Sequence, residues 1–417
     1  MATKYWLGTA TAVAQVDTGS IDSVDGTPAN NTFTVTIGGV AISAIGDTDV
    51  ATTATNLRAS LNGSTHPYFS GITWSGTTGD IIGTADTAGV SFVAALTETG
   101  AGTGTVTDFA ATTASAGPCD WSTATNWSDG SIPGTSDTII FSDNSVNVCF
   151  GLDQNALAIN DLQIAKTYTG KIGLDRNSFL TSVDGETVDT SKPEYRQDYL
   201  RIDVDDIEIG KHVGTGTAIG SQRLKIDNTS TGASDTVVFG TANTGAETNL
   251  PPVRLLYNST TADIFIRSGS VGIANDGPSE TAIIGDLYLN GTASKVFCGD
   301  GCQIQTVAQT NGQGLIQSTT TITSIDLIEG VLTTEGDFTA TTINVEGGTL
   351  IPNHDATGVA ITTLNINGGT VDATRTSELR TWTTVNLSVG GSIKVNSDIV
   401  TMTNFNDPSG EYTIQVS

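Results

Sequence analysis

Positive charge is what this sequence lacks most. Only 17 lysines and arginines stand against 44 aspartates and glutamates, a formal net charge of −27 at pH 7. Nucleic acids and anionic membranes repel such a surface, so neither is an expected partner. Long apolar runs are missing too, and no stretch reaches the ~18 residues that a membrane-crossing helix needs. The opening Met-Ala-Thr-Lys-Tyr-Trp-Leu has one lysine and no apolar core, so a secretory leader is not expected. Histidine is scarce, and His66, His212 and His354 sit far in sequence from the cysteines. That spacing disfavours a structural zinc, and neither a metal nor a cofactor is expected. Cys119, Cys149, Cys298 and Cys302 allow three pairings, with disulfides and buried thiols both open. Cys298-Gly-Asp-Gly-Cys302 is a tight turn that could close as a small disulfide loop.

What is abundant points to strands and turns. Glycine numbers 48 and threonine is frequent, while hydrophobic residues make up 37%. Threonine favours strands, glycine and asparagine favour turns, and a modest apolar share suits a narrow solenoid better than a thick globule.

The clearest pattern runs from Ile322 to Asn396. One phrase recurs there: Thr-Ser-Ile-Asp-Leu, Thr-Thr-Ile-Asn-Val, Thr-Thr-Leu-Asn-Ile and Thr-Thr-Val-Asn-Leu, each followed by glycine. Its anchors Ile325, Ile343, Leu364 and Val385 are 18, 21 and 21 residues apart. Apolar residues at i and i+2 make a strand with one buried face, and the glycine turns the chain. A strand and a corner every twenty-odd residues, unable to bury its face alone, is the signature of stacked rungs. The fold class expected is mainly β: a small α/β N-terminal module, then a parallel β-helix with a Trp-rich N-terminal cap.

Read in order, residues 1–16 form an extended arm with Tyr5, Trp6 and Leu7 as an apolar docking anchor. Residues 17–110 form a small sheet carrying one helix. Thr32–Ser43 alternates around Gly38-Gly39 and predicts a hairpin. Val50, Ala54, Leu57 and Leu61 predict a helix that Asp47 or Asp49 caps and Gly63 stops. Three further strands are expected at 72–75, 80–85 and 90–96. Residues 111–118 read as a linker, 119–156 as the cap, 157–396 as rungs, and 397–417 as a terminal cap or oligomer contact. Insertions at 175–198 and 240–252 interrupt the rungs.

The motifs Tyr5-Trp-Leu-Gly8, Val13-Ala-Gln-Val-Asp17, Thr34-Val-Thr-Ile-Gly-Gly39 and Gly89-Val-Ser-Phe-Val93 resemble a module near the N-terminus of tailed-bacteriophage structural proteins. Cys119-Asp-Trp-Ser-Thr-Ala-Thr-Asn-Trp-Ser-Asp-Gly-Ser-Ile-Pro-Gly-Thr-Ser-Asp137 is similar to segments that precede parallel β-helices in bacterial surface and phage proteins. The resemblance implies a right-handed helix, residence in a virion, other capsid or tail proteins as partners, and a homo-oligomer, with a trimer favoured. Within this segment Trp121, Trp127, Pro133 and Asp137 are read as cap residues, since tryptophans can cover an open first rung. Stacking of the same tryptophans on sugar rings is the alternative.

Candidate chemistry is sparse. Asp203, Asp205 and Asp206 cluster on one strand near Arg201, Arg223 and Lys225, and Asp184, Glu186 and Asp189 lie in an insertion. A glycan hydrolase or lyase needs such carboxylates on adjacent rungs. Gly214–Gly220 is glycine-rich without a following helix pattern, which rejects a dinucleotide loop. Asp17, Asp22 and Asp25 are oxygen-rich but miss the EF-hand spacing. The function expected is non-enzymatic; the resemblance implies a capsid decoration or head-fibre protein, with a host surface glycan as a further partner. A polysaccharide-binding or polysaccharide-degrading tail fibre is the alternative, and a bacterial adhesin the second.

Overall fold

The computed structural model describes residues 2–173, 199–211, 220–221, 223–242, 251–275, 280–318, 320–336, 338–354, 358–375, 379–396, 398–407 and 414–416. Within them the chain is mainly β, and its larger part is a parallel β-helix. One column of thirteen parallel strands runs from Thr3–Tyr5 and Thr138–Phe141 down to Arg380–Leu387 and Val400–Asn406. At the usual strand spacing this column is roughly 58 Å tall. A second parallel column descends beside it from Leu224–Asn228 to Ile414–Val416.

The four sequence anchors fall in register. Ile325 pairs with Ile343, Ile343 with Leu364 and Leu364 with Val385, and all four are fully buried. The same buried row continues upward through Val307, Leu287, Ile264, Thr236, Ile207, Leu162 and Ile139. Thr236 is its one polar member, and its hydroxyl is hydrogen-bonded to the buried Tyr257 phenol. The threonine pairs of the repeat have a second role. Two successive outward residues, such as Thr341-Thr342 or Thr362-Thr363, break the in–out alternation and bend the strand from one side of the helix to the next.

The glycine corners are stacked as well. Gly330, Gly348, Gly369 and Gly390 all have positive φ, between +68° and +96°. A Cβ on Gly348 would lie 2.6 Å from the Gly330 carbonyl oxygen, because corner backbones pack directly on one another. Only glycine meets both demands.

The N-terminal module has two antiparallel sheets. One is ordered Ile72–Ser75, Asp80–Ala85, Val16–Ser23, Thr105–Thr113, the other Val40–Ile45, Asn31–Ile37, Ala94–Gly100. The expected hairpin turns at Gly38 (φ +57°) and Gly39 (φ +81°), the paired left-handed conformations of a type I′ turn. The helix spans Val50–Asn62. Asp49 caps it by accepting from the Thr52 N–H at 2.8 Å, and Thr53, Ala54, Leu57 and Leu61 face the core.

Three sequence expectations change. Thr105–Thr113 is a strand against Val16–Ser23, so 111–118 is not simply a linker; the strand is exposed along most of its length and carries no apolar period to read. The strand expected at 90–96 starts at Ala94, because the Phe92 backbone bonds instead to both ends of the Gln15 amide, at 2.8 and 3.0 Å. The arm at 1–16 contributes the first strand of the β-helix column.

Substitution separates the two glycine effects. Gly390→Ala meets no atom within 4 Å and carries only the left-handed backbone cost, about 1 kcal/mol. Gly348→Ala adds a backbone collision, and urea unfolding should register a loss of about 2–3 kcal/mol.

Candidate functional site

Three features converge near the top of the β-helix: an aromatic cap, a cleft beside it, and a column of carboxylates. The cap is built from Trp6, Trp121, Trp127, Phe141 and Tyr168. Trp127 meets Trp121 and Trp6 edge-to-face, with ring centroids 4.7 and 5.1 Å away, and all three indoles are 1% exposed. The Trp127 indole N–H donates to the Trp121 carbonyl at 2.8 Å, and that of Trp6 to the Val146 carbonyl at 3.1 Å. Rings so enclosed cannot stack on sugars, which removes that alternative for Trp121 and Trp127.

Tyr5, Trp6 and Leu7 do not act together. Strand alternation turns Trp6 into the cap and leaves Tyr5 and Leu7 partly in solvent. Asn126, fully buried, ties the crossing chains: it accepts from the Ala10 N–H and donates to the Gly117 and Asp120 carbonyls, each at 2.8 Å. Asp137 accepts from Ala2 N–H at 2.7 Å and Gly134 N–H at 2.9 Å, closing a turn that follows the buried Pro133. Burial alone would raise the Asp137 pKa, but those two N–H groups and the nearby Lys4 outweigh it and hold the carboxyl below the usual range. Lys4 itself is buried and paired with Asp129 at 2.6 Å.

The module is inserted into this cap. The chain leaves the first column strand, forms the module, and returns through an antiparallel bridge of Val13 with Ala116, Val13 N–H to Ala116 carbonyl 2.7 Å. Module and helix therefore meet through two adjacent strands of chain. Between them lies a cleft of about 500 Å³ lined by Phe92, Val93, Ser115, Asp120, Asp153 and Gln154, among others. Its polar wall is rich in acceptors.

Below the cap, register brings together aspartates that are far apart in sequence. Asp161 pairs with Asp206 and Asp206 with Asp235, Asp235 pairs with Asp263, and Asp286 follows on the next strand. These outward side chains repeat at about 4.8 Å, where like charges in water repel by about 1 kcal/mol per pair. Burial, then Asp161, Asp235 and Asp205, push Asp206 above the ordinary carboxylate range. Burial does the same for Asp263, opposed by the Asp286 N–H and reinforced by the Asp286 and Asp235 charges. Partial relief comes from Thr138 and Asn160 donating to Asp161, and from Tyr288 and Thr306 donating to Asp286.

The other sequence candidates disperse. Asp205 and Asp206 are successive exposed residues at a bend, so only Asp206 joins the column. Arg201 pairs with Asp227 at 3.2 Å and Asp153 at 3.6 Å. Burial lowers the Arg223 pKa to about 10, and Lys225, fully buried, lies 5.6 Å from the Tyr199 ring centroid. Asp17 is buried beside Gln15 while Asp22, on the opposite face of the strand, bonds to Thr107, so no oxygen cage forms with Asp25. Among the described residues no group of three or more His, Cys, Asp or Glu is arranged to hold a metal. His66 caps a short helical turn by accepting from Tyr68 N–H. His212, Asp184, Glu186, Asp189 and most of Gly214–Gly220 lie outside the described residues. Cys298 and Cys302 are thiols with no disulfide between them.

The carboxylate column sets a pH dependence. Folded-state pKa values above the unfolded ones mean that the folded chain binds more protons, so stability rises as pH falls and is lost as pH climbs through the folded values. Asp17 and Asp227, also raised by burial, add to this trend. Asp137 and Asp372, whose pKa values are lowered, reverse it below about pH 4. Scanning calorimetry should find the thermal midpoint rising as pH is lowered from 7 toward the ordinary carboxylate range, and Asp206→Asn with Asp263→Asn should flatten that rise. No protein-family model, curated protein or solved structure matches this chain.

Proposed function

We propose that the chain is a non-enzymatic structural protein of a tailed-phage particle, a capsid decoration or head-fibre protein whose β-helix projects outward. The module of residues 13–116 is the unit that docks on other virion proteins, and the β-helix is a stiff spacer. The observation that carries this reading is the two-strand mount. A domain tethered by one flexible chain would swivel, whereas the Val13–Ala116 pairing and the Asn126 latch fix module and helix together. Such a joint transmits force, which a projecting fibre requires and a diffusing enzyme does not. The net charge of −27 keeps neighbouring copies on a crowded surface apart. The subunits assemble as a homo-oligomer, a trimer being the arrangement favoured.

Cryo-electron microscopy of particles encoded with this gene tests the reading. Density on capsomers through the module, with the rod pointing away, is the expected result. Absence of the chain from purified particles would overturn it.

A second reading, a tail fibre that degrades host polysaccharide, draws support from the raised carboxyls of Asp206 and Asp263 in one column. General acid catalysis needs a carboxyl of that kind beside an ionised partner. Density at the tail tip, with release of reducing ends from capsular polysaccharide that Asp206→Asn abolishes, would establish this reading in place of the first.

A further inference from the structure

Cys298 and Cys302 end one strand and begin the next, Ser294–Cys298 and Cys302–Gln309. The turn between them is rigid. Cys302 N–H donates to the Gly299 carbonyl at 3.0 Å, and a Cβ on Gly299 or Gly301 would collide with the Ala274 or Glu280 carbonyl oxygen. Both side chains belong to the buried core, 2% and 0% exposed, at the two ends of one tight turn. The remaining cysteines adjoin each other in the cap, where Cys149 N–H donates to the Cys119 carbonyl at 2.9 Å. The fold therefore removes a choice that four cysteines in a sequence leave open.

We propose that Cys298 and Cys302 are an oxidisable pair whose disulfide staples two successive strands of the β-helix, its redox state being set when this rung closes. The chemistry is thiol–disulfide exchange with a small disulfide such as oxidised glutathione. One cysteine thiolate attacks the glutathione disulfide, forming a mixed disulfide and releasing one glutathione. The second cysteine attacks the protein sulfur of that mixed disulfide and releases the other glutathione. Two electrons pass to glutathione, and the two cysteine protons end on its two thiols. Geometry favours the second step over dissociation, since the resolving thiol sits at the other end of the same tight turn. Once the core has formed, the S–H contact with Cys302 and burial hold the Cys298 thiol well above its ordinary pKa, and no oxidant reaches it. A chain folded under reducing conditions thus keeps its thiols, and one folded under oxidising conditions keeps its staple.

The full chain, unfolded in urea, is refolded in a buffer of reduced and oxidised glutathione and mapped by mass spectrometry without reduction. The expected product is a peptide cross-linking Cys298 to Cys302, lighter by two hydrogens and lost on adding dithiothreitol. Its thermal midpoint should exceed that of the dithiol form, and protein folded under reducing conditions should resist the same glutathione buffer. Cys119→Ser should leave the cross-link in place. Free thiols at both positions after oxidative refolding, a stable mixed disulfide, or a bond from either residue to Cys119 or Cys149 would overturn the proposal. Because the mapping uses the unmodified sequence, failure of a variant to fold cannot obscure the result.

Discussion

Parallel stacking in register governs this protein. Each residue on a rung lies about 4.8 Å from its counterpart above and below, so whatever the sequence places at one position it multiplies into a column. Apolar columns gain from this arrangement, as Ile325, Ile343, Leu364 and Val385 demonstrate. Amide columns gain too: Asn406 donates to Asn386, Asn386 to Asn365, Asn365 to Asn344 and Asn344 to Asp326, at 2.6–2.8 Å. Each amide is both donor and acceptor, so the chain of bonds ends on a carboxylate that needs donors. Carboxylate columns lose, because each side chain faces another of the same charge and no ionised carboxylate can donate to the next.

The same rule explains why the first rung is elaborate. A column must end, and its last strand exposes unpaired backbone and an apolar interior. At the N-terminal end the chain devotes three tryptophans, the buried Lys4 with its exposed partner Asp129, and the fully buried Asn126 to that closure. Placing the module inside the cap, between the first column strand and its neighbour, makes closure and mounting one structure. Whatever holds the module also holds the first rung.

How much of this is legible in the sequence follows from the length scale of each interaction. The repeat anchors, the corner glycines and the capped helix depend on residues a few positions apart, and their spacing reveals them. The Gly38-Gly39 hairpin is readable for the same reason. Trp6 is different: its partners Trp127 and Phe141 are more than a hundred residues away, and an apolar triplet at a terminus reads as an arm. Thr105–Thr113 gives no signal because neither face is properly buried. The aspartate column is hidden by insertions of unequal length between its members, so only the register shows that Asp161 and Asp286 share a line. Asp203 and Asp205 cluster with Asp206 in sequence, yet a bend between sides leaves the column to Asp206.

The two charge patterns divide the helix. In a solenoid each rung interacts only with its neighbours, so stability is a sum of local interfaces and not a property of the whole. The rungs from Thr321 onward interleave acids with amides: Gln317 and Asn353 serve Glu335, Asn311 serves Glu329, and Asn367 serves Glu346. The rungs between Asp161 and Asp286 stack acid on acid. At neutral pH the like-charge repulsion therefore falls on the interfaces directly beneath the cap. The aromatic cluster adds apolar burial at the end of the column nearest those rungs. Cap burial and carboxylate repulsion thus act with opposite sign on neighbouring interfaces, and each enters the sum locally while the buried row of Leu162, Ile207, Ile264 and Leu287 runs through both.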